Sequence, residues 1–131
     1  VANNRPNPNR KPPDRFAWFF GFHVFDLRAA REAVAGKPVL CLATVGIEPL
    51  LADGVVDLDA ARFADTSGVA ILARVPLAGV SDRYVLIDGY EVAKRCLDRG
   101  KPLRLRVLSR REAYRCRLPE SSGEWPNPDA N

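Results

Sequence analysis

The sequence predicts a small α+β domain in which a mixed sheet carries short flanking helices. Three observations lead there. With 131 residues, 47% of them hydrophobic, the chain has room for one modest core. Apolar runs of strand length alternate with short segments of helical periodicity, and a cap or a breaker marks most of the boundaries. No segment repeats another, so a stacked-repeat architecture is excluded.

The elements follow in order. FHVFDL reads as a strand, after which Asp26 can cap a short helix, LRAAREAVA, that ends at Gly36. KPVLCLATV reads as a second strand broken by Gly46 and Pro49. DLDAARFAD is a short helix with Asp57 or Asp59 as its cap, and GVAILARVPL is a buried strand. RYVLIDG is another apolar run, followed by a helix from about Tyr90 to Arg99 that stops at Gly100. LRLRVL alternates, with Leu103, Leu105 and Val107 on one side and Arg104 and Arg106 on the other. Ser109 and Glu112 have the spacing of a capping box for a last helix. The predicted domain spans residues 15–119. A basic tail at 1–14 and an acidic tail at 120–131 hold little to bury and are expected to be disordered.

Charge is unevenly placed. Residues 89–118 carry ten Lys or Arg against three acids, a net of +7 in a chain whose total is +4. Such a concentration suggests an anionic partner. Three cysteines, Cys41, Cys96 and Cys116, are an odd number and widely spaced, which suggests neither a disulfide framework nor a metal knuckle, so no metal is expected and a reduced, cytoplasmic setting fits. The one histidine, His23, sits among aromatics and reads as a packed or surface residue. No apolar run reaches the length of a membrane helix, and FAWFFGFHVF lacks a cleavage signal, so neither a membrane nor export is expected. That same stretch holds Phe16, Trp18, Phe19, Phe20 and Phe22, more aromatic surface than one face of a strand or helix can bury. It can pack across the core from both sides, form a homodimer contact, or stack on bases.

The stretch YVLIDGYEVAKRCLDRG raises the main functional question. Val92, Ala93, Cys96 and Leu97 form one helical stripe, which makes Cys96 a small buried hydrophobe. Asp88 stands where an N-cap belongs and Glu91 lies three residues on, so the two can satisfy the first turn by themselves. The same corner, with Gly89 and Tyr90 leading into a helix, has the form of a phosphate-binding turn.

From Arg74 to Leu108 the order of strand, LIDG corner, helix, Gly100 and LRLRVL resembles the core of the ParB/sulfiredoxin superfamily. The resemblance implies a ParB/sulfiredoxin-like fold and a nucleotide or nucleic acid as ligand. Where ParB-type boxes resemble Gly-Glu-Arg-Arg, this chain has Gly89, Tyr90, Glu91 and Val92, and both arginines are gone. Where sulfiredoxins resemble Gly-Cys-His-Arg, Tyr90 replaces the cysteine. The expectation is therefore a binding module that is not catalytic and needs no cofactor. Its contacts to DNA or RNA backbone, or to a nucleotide, would be the Gly89–Tyr90 corner and the basic residues after it. These are Lys94 and Arg95 on the helix, Arg104 and Arg106 on the strand, and Arg111 and Arg115 on the last helix. Two alternatives remain. One is a phosphotransferase or nuclease that uses Asp88 and Glu91 with a nucleotide and Mg2+. The other is a protein-interaction subunit joined through residues 16–25.

Overall fold

Strands with apolar residues on both faces need a layer on each side, and this chain supplies both. The structure is a computed structural model that describes residues 15–18, 23–52, 54, 56–76, 83–122 and 125. Strands β3 (Leu40–Leu42), β4 (Val69–Val75), β5 (Arg83–Asp88) and β6 (Leu103–Leu108) form one sheet in the order β3-β6-β4-β5. The β4–β6 pair is parallel and the other two are antiparallel, so the sheet is mixed, as the sequence predicts. Strands β1 (Arg15–Trp18) and β2 (His23–Asp26) pair separately as an antiparallel ribbon.

Helices α1 (Leu27–Val34) and α5 (Arg110–Arg115) lie on one sheet face. Leu27, Ala30, Val34 and Ala113 meet Ile71, Ala73, Val75, Val85, Ile87 and Leu108 there. Helix α4 (Tyr90–Arg99) covers the other face with Tyr90, Ala93 and Cys96, packed on Ala70, Leu72, Leu86, Leu103 and Leu105. Helices α2 (Ile47–Leu51) and α3 (Leu58–Arg62) pack against α4. The result is an α+β sandwich of helix, sheet and helix.

Several local expectations hold. The Asp26 carboxylate accepts from the amides of Arg28 and Ala29 at 3.0 and 3.3 Å, and Asp57, not Asp59, caps α3. Gly100 ends α4 at φ +65°, a conformation that glycine adopts without a steric cost. Ser109 and Glu112 form the reciprocal capping box on α5.

Two expectations change. The second strand shrinks to three residues, and IEPLL becomes α2. Pro49 lies in the first turn of α2, where its missing N–H has no intrahelical partner to lose. The domain also continues past residue 119. Arg15 pairs with Glu120, the Ser121 hydroxyl accepts from the Val24 amide at 2.8 Å, and Trp125 is buried against His23, Phe25 and Tyr114. The expected basic tail at 1–14 lies outside the described residues, as do residues 126–131. Among the described residues no helix is long and apolar enough to cross a membrane.

A candidate anion cleft beneath helix α1

Strict alternation from Leu86 would turn Asp88 toward α4. The β4–β5 register instead shifts between Ile71 and Leu72, so that Leu72 faces Leu86 but Ile71 faces Asp88. A slip of one residue reverses the face on which a side chain emerges. Asp88 thereby turns toward α1, where Arg31 donates from Nε to Oδ2 at 2.9 Å and from Nη2 to Oδ1 at 3.3 Å.

This corrects the capping role expected of Asp88. The N-cap of α4 is Gly89, at φ +99°, and no side chain caps that turn. Glu91 is half-buried and makes no hydrogen bond or ion pair among the described residues. The corner also packs closely on β4. A Cβ on Gly89 would lie 2.8 Å from the Ala70 Cβ, so the glycine serves a close approach of β4. Tyr90 is 6% exposed and its ring stacks on Phe16, with centroids 5.5 Å apart. At the Gly89–Tyr90 corner expected to hold phosphate, the Tyr90 side chain belongs to the core and Gly89 is half-exposed.

A different concavity opens nearby. Arg31, Val34, Val69, Ile71, Asp88 and Arg106 line a cleft of about 180 Å³ between α1 and the sheet. Ile71 faces Asp88 on one neighbouring strand and Arg106 on the other, so the three form a row across the sheet. Arg106 is half-buried, and its Nε donates to the Lys37 carbonyl at 3.0 Å. Its two Nη nitrogens have no hydrogen-bond partner among the described residues. A guanidinium offers five donors, so most of this one's capacity remains for a ligand.

Neither a known family model, nor a curated protein, nor a solved structure matches this chain.

The sheet divides the predicted basic surface. Arg104 and Arg106 lie on the face that carries α1 and α5, and the Arg104 Nη1 donates to the Ser67 carbonyl at 3.0 Å. Arg111 and Arg115 are exposed on α5 in that same layer. Lys94 and Arg95 lie on α4, which packs on the opposite face, and Lys94 pairs with Asp98 at 2.9 Å. The six basic residues are split between the two faces of the sheet.

The remaining titratable groups read as structure. Glu112 binds both Ser109 and Lys37, and the Lys37 Nζ also donates to the Val107 carbonyl at 3.0 Å. Burial raises the Glu112 carboxyl, but Lys37 and Ser109 outweigh it and hold the group below its ordinary value. Burial pushes the Cys96 thiol up, and it pushes Cys116 to about 11 with help from Asp26 and Glu112, so neither is poised as a nucleophile. Cys41 is exposed. His23 is 2% exposed, and burial with the nearby Arg117 lowers its pKa from 6.5 to about 4. No group of three His, Cys, Asp or Glu side chains gathers as a metal site among the described residues. Phe16 is partly buried and packs against both cores. Trp18 closes the β1–β2 ribbon opposite His23, while Phe19, Phe20 and Phe22 lie outside the described residues.

Sequence reasoning missed Arg31. The signal was present: Leu27, Ala30, Arg31 and Val34 fall at i, i+3, i+4 and i+7, so a cation interrupts an otherwise apolar stripe. Trp125 was missed because it lies in a polar segment with no periodicity around it.

Proposed function

We propose that this chain is a divergent ParB/sulfiredoxin-like domain that binds nucleic acid or a nucleotide through the layer containing α1 and α5. The observation that carries this reading is Arg106, a half-buried guanidinium whose Nη nitrogens have no partner among the described residues, in a cleft shared with Arg31 and Asp88. Phosphate oxygens match such a fork of donors. Arg111 and Arg115, exposed in the same layer, add charge for neighbouring phosphates. A polymer backbone suits the site better than an enclosed nucleotide, because about 180 Å³ is smaller than the roughly 300–1,000 Å³ of small-molecule pockets. Catalysis by Asp88 and Glu91 has less support. Arg31 engages both oxygens of Asp88, and no cluster of acids accompanies the pair among the described residues.

The test is binding of short DNA, RNA and nucleotides across a salt titration, with and without magnesium. Micromolar binding to nucleic acid that weakens steeply with salt is expected. Arg106→Ala should weaken it and lower the slope of log K against log salt by about 0.7–0.9, the loss of one phosphate contact. Binding restricted to a nucleotide with magnesium would instead favour a phosphotransferase.

A further inference from the structure

The cleft beneath α1 presents opposite chemistry at its two ends. Arg106 offers donors on one side of Ile71, and Asp88 offers a carboxylate on the other. Their α-carbons are two strand spacings apart, roughly 10 Å, and both side chains line the cleft. Arg31 occupies one lone-pair direction on each Asp88 oxygen. A carboxylate has about four such directions, so acceptor capacity remains at the cleft. A purely anionic ligand would be attracted at Arg106 but would gain no hydrogen bond at Asp88, whose charge Arg31 already balances. A ligand that gains at both ends carries a phosphate and, beside it, a hydroxyl that can donate.

Resting on the nucleic-acid reading above, we propose that this cleft recognises the ribose-phosphate unit and makes the domain prefer RNA to DNA. Arg106 takes a phosphate oxygen, and Asp88 accepts a hydrogen bond from the adjoining 2′-hydroxyl. That hydroxyl is the group by which a protein distinguishes the two backbones at one site. Arg31 is a positioning residue here, because its two bonds hold the carboxylate at the cleft. The register shift in β5 serves the same end, since an unshifted strand would turn Asp88 to the opposite face.

The experiment compares single-stranded RNA, DNA and 2′-O-methyl RNA of one sequence, each binding the full chain at one salt concentration. RNA should bind about tenfold more tightly than DNA, the contribution of one hydrogen bond to a charged acceptor. The 2′-O-methyl strand, which has lost the donor, should behave like DNA. Asp88→Ala should bring the RNA-to-DNA ratio close to one while DNA affinity holds or rises, because the cleft loses one negative charge. Arg106→Ala should weaken both strands and leave their order unchanged.

Equal affinity of the wild-type protein for all three strands would overturn the 2′-hydroxyl assignment and leave the nucleic-acid reading standing. An RNA preference that survives in Asp88→Ala would overturn the placement at this cleft. Failure to bind any strand would remove the underlying reading as well. The wild-type comparison across the three strands decides the 2′-hydroxyl preference even if Asp88→Ala does not fold.

Discussion

Gly89 carries two constraints at once. Its φ of +99° lies where side chains are rarely tolerated, and an added Cβ would meet the Ala70 Cβ at 2.8 Å and its Cα at 3.0 Å. Left-handed backbone alone costs about 1–3 kcal/mol for a residue other than glycine. Gly89→Ala is therefore expected to destabilise the fold by roughly 2 kcal/mol or more, read as the shift of a urea midpoint. If the corner serves packing, the fraction that still folds should bind ligand as the wild type does. A selective loss of nucleotide binding with stability intact would restore the corner as a phosphate site. The spacing of Asp88 and Glu91 could not show this outcome, because the register shift that redirects Asp88 depends on how β5 pairs with β4.

The β1–β2 ribbon is joined to the C-terminal segment through an aromatic cluster. His23 and Trp125 meet edge to face at 5.1 Å, and Trp125 also contacts Phe25 and Tyr114. Burial keeps the His23 imidazole neutral, with a folded pKa of about 4 against an ordinary 6.5. As the pH falls, the unfolded chain takes up this proton first, so stability falls with it. The His23 contribution is fully present above about 6.5, declines as the pH drops from there to about 4, and changes little below. Glu112, held below its ordinary 4.5, adds a further loss in more acidic solution. His23→Gln should flatten the decline between 6.5 and 4 in denaturant midpoints measured across that window. An unchanged decline would mean that another group is responsible. Sequence placed His23 among aromatics, but only packing brought in Trp125, about a hundred residues away.

The helix–sheet–helix layering decides which basic residues can act together. Arg106, Arg111 and Arg115 share one layer, and Lys94 and Arg95 lie on α4 across the sheet. Salt-sensitive binding should follow this division. Arg111→Ala with Arg115→Ala should lower the slope of log K against log salt by about 1.4–1.8. Lys94→Ala with Arg95→Ala should leave it nearly unchanged. If the α4 pair mattered equally, the ligand would have to wrap the domain, and the cleft would not be its centre.

Most elements were legible in the local pattern because their causes are local. Asp26 and Asp57 cap their helices, Gly100 stops α4, and Ser109 with Glu112 starts α5, each through bonds to residues a few positions away. The buried stripe of α4, Cys96 included, follows from a 3.6-residue period. The mixed α+β class followed from the alternation of such segments. The cleft had no comparable signature. It needed α1 laid over β6 and β4, a shift in strand register, and Arg31 brought to Asp88 across 57 positions. The split of the basic residues had the same origin. Period and spacing assign a side chain to a face of its own element, whereas only packing decides which faces meet.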